Sequence, residues 1–193
     1  PHTIIIGYDH RFGRDRQGNY TLLESQAPVY GFRLKEISKH ILNEISISST
    51  RIREAILHKQ TGLANELLGY DFFFSGEVVH GNKLGRQLGY PTANLKIEDE
   101  EKLVPGDGIY AVYARVDTEG ELIKGMMSIG FRPTVDGKKR VIEVNLFDFS
   151  ADIYGRELRV YLKKYLREEV KYNTLDELVV QLGKDKEDSL AVL

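Results

Sequence analysis

The sequence predicts an α+β protein, in which an α/β segment is followed by a small antiparallel β-barrel. The first observation is an uninterrupted β-branched run at residues 3 to 6, which stops at a glycine and is typical of a buried parallel strand. The second is the pattern from Phe72 onward, where short alternating strands are separated by turn residues. The third lies between them, where a helical segment at residues 62 to 68 is closed by Gly69. A domain boundary is therefore expected at residues 69 to 71.

Length and composition limit the classes of protein to which this chain can belong. A chain of 193 residues suffices for one packed domain, or for one domain and part of another. With 41% hydrophobic residues, 29% charged residues and a net charge of −2, it resembles soluble globular proteins and has no general attraction to nucleic acid or anionic membranes. The absence of cysteine excludes disulfides and thiolate metal sites, and it permits the cytoplasmic location that we expect. No membrane span, signal peptide or obligate protein partner is indicated.

The first strand leads into charged and aromatic residues at positions 7 to 13. Open α/β sheets bind ligands at the carboxyl ends of their strands, so these residues are candidates for a binding site. A polar surface loop explains them equally well. A short helix is expected next at residues 20 to 26, and a second strand at residues 29 to 34.

A second candidate anion site lies at the start of the following helix, which is expected to run to residue 58. Ser48, Ser49 or Thr50 can cap this helix, which leaves its amino end, with Arg51 or Arg53, available to an anion. Capping alone is sufficient to explain the hydroxyl groups.

The most informative stretch is at residues 76 to 95, where an apolar run leads into a loop that closes on Pro91, Thr92 and Asn94. The loop carries three glycines and two cations, namely Gly81, Lys83, Gly85, Arg86 and Gly89. Glycines permit unusual backbone angles and close approach to a ligand, and the cations suit a phosphate. The oxygens of Thr92 and Asn94 suit Mg²⁺, so a nucleoside triphosphate is the first candidate ligand. A plain surface turn is the alternative, and no Walker motif is present.

Hairpins account for most of the remaining chain. Strands are expected at residues 108 to 117, 122 to 129, 140 to 149 and 159 to 165, with a turn-rich loop at 130 to 137. An acidic run at residues 98 to 102 is interpreted as a solvated loop. A helix follows at residues 174 to 182, where Thr174 and Glu177 form a capping box.

Glu143 is the candidate catalytic residue. Strand alternation places it on one face with Val141 and Asn145, and a carboxylate within hydrogen-bond reach can accept the proton of an alcohol that is being phosphorylated. A solvated carboxylate is the ordinary explanation, and the pattern alone does not select Glu143 among 29 acidic residues.

The motif Gly-x-Val-x-x-Gly-x-x-x-Gly-Arg-x-Leu-Gly-x-Pro-Thr-Ala-Asn-Leu at residues 76 to 95 resembles the signature of riboflavin kinases, especially the kinase half of bacterial bifunctional riboflavin kinase/FAD synthetases. The resemblance implies a six-stranded antiparallel Greek-key β-barrel with a C-terminal helix at residues 71 to 193. It implies riboflavin and ATP as substrates, with phosphates at Gly81, Lys83, Gly85, Arg86 and Thr92. Mg²⁺ is expected at Thr92 and Asn94.

The acceptor side also follows from the resemblance. Glu143, ahead of the Asp-x-Tyr-Gly turn that ends at Gly155, matches the proposed catalytic base of the family. The Arg-x-Glu-x-Lys-aromatic motif resembles the family's flavin-side loop, which implies that Arg167, Glu169 and Tyr172 contact the flavin. Tyr172 stands where phenylalanine is usual, so an aromatic surface is retained.

Two motifs near the start of the chain, at residues 7 to 13 and 47 to 53, resemble the FAD synthetase half in the family's order. The family's His-x-Gly-His motif is lacking. Residues 1 to 70 are therefore expected to be the C-terminal part of a Rossmann-like FMN adenylyltransferase domain, and this chain is expected not to adenylylate FMN by itself. The residues expected in the vestigial site are Asp9, Arg11, Ser48, Ser49, Thr50 and Arg53.

Two other functions stay open at this point. One is a barrel that binds a flavin or a single-stranded nucleic acid without chemistry, although balanced charge and aromatics within strand patterns do not favour an oligonucleotide groove. The other is an active nucleotidyltransferase, which the missing front motif disfavours.

Overall fold

The computed structural model describes residues 1–7, 9–37, 41–42, 45–81, 84–99, 101–134 and 137–193. The chain divides into two compact units, Pro1–Ser48 and Ser49–Leu193. The first unit thus ends some twenty residues before the domain boundary that the glycine-closed helix suggested.

The first unit contains a parallel pair of strands, as the sequence predicts. Strand β1 (Thr3–Gly7) pairs with β2 (Arg33–Ile37), and helix α1 (Tyr20–Tyr30) connects them. A 3-10 turn at Arg14–Arg16 precedes α1, and the short strands β3 (Ile41–Leu42) and β4 (Ile45–Ser46) pair in antiparallel fashion. The expectation that the β-branched run is buried is wrong for Ile5, which is 60% exposed, whereas Ile6 is buried.

Helix α1 is longer than predicted and displaces the start of β2. The Asn19 side chain accepts a hydrogen bond from the Leu22 backbone N–H, and Gly31 ends the helix in the left-handed conformation with φ 68°. Val29 and Tyr30, which the sequence assigned to a strand, belong to the last turn of α1. The cap residues at both ends, rather than the β propensity of two residues, determine the boundary.

The second unit opens with helices α2 (Ser49–Leu57) and α3 (Thr61–Leu68), and Gly69 closes α3 in the left-handed conformation as predicted. The helices pack through buried Ala55, Ile56 and Ala64. They are also bonded to the barrel, since Asn65 Nδ2 donates to the Leu162 carbonyl at 2.8 Å. These contacts explain why the two helices group with the barrel.

Six strands then form a closed, antiparallel barrel. They are β5 (Phe73–Val79), β6 (Thr92–Lys96), β7 (Gly108–Val116), β8 (Ile123–Thr134), β9 (Gly137–Leu146) and β10 (Glu157–Arg167). The order around the barrel is β10-β5-β6-β9-β8-β7. Strands β7, β8 and β9 are consecutive neighbours and β10 returns beside β7, which is a Greek key. The predicted barrel is therefore confirmed, with short helix α4 (Leu84–Gln87) between β5 and β6.

Alternation along the strands separates the core from the outer surface. Ile142, Val144 and Leu146 of β9 are buried in the barrel interior, as the alternating pattern predicts. Glu143 and Asn145 therefore point to the outer face of the same strand. The candidate catalytic residue lies on a rigid β-sheet surface rather than on a loop.

The predicted turn-rich loop at residues 130 to 137 is wrong for residues 130 to 134 and for Gly137, which lie on strands, and residues 135 and 136 lie outside the described residues. Strand β8 continues to Thr134, and its pairing with β9 runs without interruption from Gly125 opposite Leu146 to Thr134 opposite Gly137. The continuous register of strand pairing along this long hairpin overrides the local turn preferences of its glycine and proline. As a result, Arg132 lies on a strand.

Helix α5 (Leu175–Leu190) begins as predicted and ends later. The Thr174 hydroxyl accepts from the Glu177 backbone N–H at 3.2 Å, and Glu177 Oε2 accepts from the Asn173 N–H at 3.0 Å. The helix continues through Gly183 instead of stopping at residue 182, because its second half buries Asp185 and Ser189.

Candidate active site

A polar row crosses three neighbouring strands on the outer face of the barrel. Asn94 of β6 is paired with Glu143 of β9, which is paired in turn with Ser128 of β8. Paired residues in an antiparallel sheet project to the same face, so these three side chains are neighbours. Thr92 lies two residues from Asn94, and its Oγ1 donates to Glu143 Oε1 at 3.5 Å. The fold thus brings together the predicted metal ligands and the predicted base.

The glycines of the predicted phosphate loop serve mainly close packing. Gly89 has φ 83°, whereas Gly81 and Gly85 do not have a left-handed backbone. A Cβ on Gly81 would lie 2.3 Å from Asn94 Nδ2, and a Cβ on Gly85 would lie 2.4 Å from the Tyr90 carbonyl oxygen. The expectation that all three glycines provide unusual backbone angles is therefore wrong for two of them.

The loop ends on a fixed support. Asn145 is 6% exposed and its Nδ2 donates to the Pro91 carbonyl at 2.6 Å. Arg86 lies exposed on α4, and Lys83 is outside the residues that the structure describes. The close contacts of Gly81 and Gly85 together with this bond hold the described part of the loop against β6 and β9.

Arg132 connects two carboxylates from different parts of the chain. Its Nη2 donates to Glu143 Oε2 at 3.0 Å, and its Nη1 donates to Glu169 Oε1 at 3.0 Å. Although burial lowers the pKa of the Arg132 guanidinium, the hydrogen bond and charge of Glu169, together with those of Glu143, outweigh it and raise the pKa above the usual value. The side chains of Glu143 and Glu169 are each 28% exposed, so solvent and ligands can reach both.

Glu169 is held directly on strand β8. Ser128 Oγ donates to its Oε1 at 2.9 Å, and a Cβ on Gly130 would lie 1.6 Å from its Oε2. The space that the carboxylate occupies therefore exists because residue 130 has no side chain. This contact docks the segment after β10 against the outer face of the barrel.

Arg167, predicted to contact the flavin, is bound to helix α5. Its Nε and Nη2 donate to the two carboxylate oxygens of Asp185 at 2.7 and 2.6 Å, and Asp185 is 1% exposed. Gln181 Nε2 also donates to Asp185 at 3.0 Å. Burial raises the pKa of the Tyr172 phenol, the charge of Arg167 opposes this, and a hydrogen bond links the two side chains. Arg167 therefore connects the predicted flavin loop to α5.

The residues predicted for the vestigial adenylyltransferase site are all exposed. Asp9, Arg11 and Ser48 lie in the first unit, the first two of them directly after β1. Ser49, Thr50 and Arg53 lie in the first turns of α2, in the second unit. Within the first unit, a cleft of about 300 Å³ lies beside β1 and is lined by Ile4, Ile5, Ile6, His10, Phe12 and Leu23.

Ser128 and Arg132 were missed by sequence reasoning because they fell at the edge of a predicted loop or inside it. Their spacing carried a usable signal, since residues 128, 130 and 132 share one face if the strand continues. Among the described residues, no cluster of three His, Cys, Asp or Glu residues is suited to a metal ion. A magnesium ion at the polar row would depend on Thr92, Asn94 and substrate phosphates, a donor set that fits Mg²⁺.

Comparison with known families identifies the barrel. A family described as riboflavin kinase matches residues 68–193, which is most of the chain, and a family described as FAD synthetase matches residues 1–51. The chain belongs to the riboflavin kinase family.

Relatives of this riboflavin kinase family member cover nearly all of the chain. The bifunctional riboflavin kinase/FMN adenylyltransferase of Haemophilus influenzae Rd is 41% identical over 188 residues, 97% of this chain and 60% of the relative. That of Escherichia coli K12 is 39% identical over 183 residues, 95% of this chain and 58% of the relative. The chain thus spans about 60% of the length of these curated relatives.

A solved structure shows the same fold as this riboflavin kinase family member. It is described as a macrolide-efflux protein from Streptococcus pneumoniae, and it has a TM-score of 0.84 and 37% identity over 96% of this chain and 59% of its own. In the part of the present chain that the structure describes, no helix has both the length and the apolar character needed to cross a membrane.

Proposed function

We propose that this chain is a riboflavin kinase that transfers the γ-phosphoryl group of ATP to the 5′-hydroxyl of the ribityl chain, which yields FMN and ADP. The observation that carries the proposal is the polar row, which places Glu143 beside Thr92 and Asn94 within the region that matches the riboflavin kinase family. We include a cytoplasmic location, which the cysteine-free sequence permits.

The donor side of the site is formed by the loop before β6. Gly81, Gly85, Arg86 and Thr92 border the phosphates in this proposal, with Lys83 from the same loop. Thr92 and Asn94 hold Mg²⁺, which neutralises charge on the triphosphate when bound. Positioning and charge neutralisation supply most of the catalysis in phosphoryl transfer, and the close packing of the described part of the loop is suited to positioning the phosphates.

The acceptor side is centred on Glu143. Its carboxylate orients the ribityl hydroxyl and takes its proton as the oxygen attacks the γ-phosphorus; the bond from that phosphorus to the bridging oxygen of ADP breaks. Glu169 and Tyr172 border the flavin. Arg167 contributes by fixing their loop to α5, because its guanidinium is engaged by Asp185.

The product formed from riboflavin, ATP and Mg²⁺ tests the proposal. Chromatographic separation of flavins is expected to show FMN, with loss of FMN formation when EDTA removes the metal. FAD as a product would revive the transferase function and contradict the expectation that this chain does not adenylylate FMN. Riboflavin binding without any product, measured by quenching of flavin fluorescence, would favour a non-catalytic binding barrel.

Substitution of the proposed base tests its role. Glu143→Gln preserves size but removes the proton acceptor, so we expect FMN formation to fall by at least about 100-fold while ATP binding is largely retained. Glu157→Gln, which changes an exposed carboxylate at the start of β10, is the matched control and should retain wild-type turnover. Near-normal turnover of the Glu143 variant would remove it from the role of base.

A further inference from the structure

Two carboxylates with different proposed tasks share one guanidinium. Glu143 belongs to β9 and is the proposed base, beside Thr92 and Asn94, whereas Glu169 belongs to the segment after β10 that borders the flavin in the proposal. Arg132 of β8 donates one η nitrogen to each at 3.0 Å. No motif in the sequence assigned a role to this arginine.

We infer that Arg132 is a positioning residue that sets the orientation of the Glu143 carboxylate and couples it to the docked Glu169 loop. The inference rests on the proposed function, because it explains how the base and the acceptor loop are held relative to each other. Arg132 has no reacting atom in this role.

The bridge fixes which oxygen of Glu143 is available. Arg132 occupies Oε2 at 3.0 Å, whereas Oε1 faces Thr92 Oγ1 at the longer distance of 3.5 Å. Oε1 is therefore the oxygen directed toward the proposed metal and phosphate position. A rotation of the carboxylate would cost the Arg132 hydrogen bond, so the geometry is held before substrate arrives.

Alternate residues of β8 form the surface that the Glu169 carboxylate contacts. Ser128 and Arg132 both donate to Glu169 Oε1, and Gly130 leaves room for the carboxylate. All three β8 residues follow the two-residue period of one strand face. The pairs are part-exposed and such ion pairs add little to stability, so the consequence of the bridge is mainly geometric.

The guanidinium shape is essential to the inference. Arginine presents separate nitrogens in a planar fork and can serve two carboxylates at once, whereas lysine is a single point of charge. Arg132→Lys therefore keeps the charge between Glu143 and Glu169 but cannot make the same bridge.

Steady-state kinetics of FMN formation, with riboflavin varied at saturating ATP and Mg²⁺, test the inference. We expect Arg132→Gln to lower kcat by about 10- to 100-fold, as small misplacements of reacting groups do, and Arg132→Lys to resemble it more than the wild type. The double variant Arg132→Gln/Glu169→Gln should have the kcat of Arg132→Gln alone, because both substitutions break the same bridge. Arg156→Gln, which removes a surface pair with Asp117 at 2.7 Å, should keep wild-type kinetics.

The outcomes separate this inference from the proposed function. If the wild type forms no FMN, the proposed function fails. If the wild type is active and Arg132→Lys has wild-type kcat and KM, or if the Arg132 and Glu169 substitutions act independently, the inference is wrong and the proposed function stands. Thermal unfolding by circular dichroism verifies that each variant is folded. If Arg132→Gln is not folded, the kinetics of Arg132→Lys and Glu169→Gln test the inference instead.

Discussion

Asn145 shows how a single side chain can secure the loop that precedes β6. It lies on the outer face of β9 two residues from Glu143, and it is buried. A buried amide without partners is costly, and the bond from its Nδ2 to the Pro91 carbonyl at 2.6 Å satisfies it. The same bond fixes the loop directly ahead of Thr92, so one contact satisfies the buried amide and positions the loop.

Two glycines of β8 should respond differently to the same substitution. A Cβ on Gly130 would meet the carboxylate end of Glu169, which is flexible, whereas a Cβ on Gly125 would lie 2.6 Å from the Asn145 backbone oxygen, which is not. We expect Gly130→Ala to reduce FMN formation with little change in unfolding temperature. Gly125→Ala should lower the unfolding temperature clearly.

Circular dichroism melts and riboflavin-dependent kinetics on the same preparations distinguish the two effects. Equal activities of Gly130→Ala and the wild type would show that the Glu169 carboxylate can leave its place on β8 without consequence. That result would also weaken the case for the Arg132 bridge.

At the scale of elements, helix α5 and the loop after β10 form one assembly. The Arg167–Asp185 pair is bidentate, and Asp185 is among the buried residues of the helix. The burial of the Asp185 carboxylate is energetically acceptable because the Arg167 guanidinium and the Gln181 side chain donate hydrogen bonds to it. The loop that carries Glu169 and Tyr172 is thereby tied to the helix at one end.

Loss of the Asp185 charge should loosen this assembly. Asp185→Asn keeps the shape but weakens a charge-assisted pair, and we expect the free energy of unfolding to fall by about 2 kcal/mol, since Arg167 stays partly solvated. Asp148→Asn is the control, because its pair with Lys186 is 4.0 Å long and Asp148 is 93% exposed. Denaturant titration monitored by circular dichroism measures both, and equal stabilities would show that α5 is held without this pair.

Prediction from sequence succeeded where one local rule acted alone. Alternation identified the face of Glu143, and the capping box located the start of α5. It failed where tertiary contacts outweighed local signals, as at the β8–β9 hairpin, whose pairing extends through Gly130 and Pro133. Arg132 was missed for the same reason. The selection of Glu143 among the acidic residues required the family resemblance, because burial and neighbours across strands are not encoded in local spacing.

At the scale of the whole molecule, the compact units and the family matches divide the chain at different places. The FAD synthetase match ends at residue 51 and the riboflavin kinase match begins at residue 68, whereas the second compact unit begins at Ser49. Residues between the matches therefore group with the barrel. Lys59 also donates to Glu168 Oε1 at 2.5 Å, next to the Glu169 loop, and this hydrogen bond lowers the pKa of Glu168.

Shortened chains can decide where the kinase unit begins. A chain that starts at Ser49 keeps α2 and α3, so we expect it to form FMN with wild-type kcat and to unfold in one transition. A chain that starts at Asp71 lacks the Asn65 bond to Leu162 and the Thr61 hydroxyl that accepts from the Tyr165 N–H, so its denaturation midpoint should be lower.

The shorter chain should also bind riboflavin less well, because Lys59 no longer restrains Glu168 beside the acceptor loop. Denaturant titration and the KM for riboflavin measure the two effects on the same pair of proteins. Equal midpoints and equal KM values would support the predicted boundary at residues 69 to 71. A lower midpoint with a raised KM would mean that α2 and α3 stabilise the barrel and the loop after β10, although most of their residues lie outside the riboflavin kinase match.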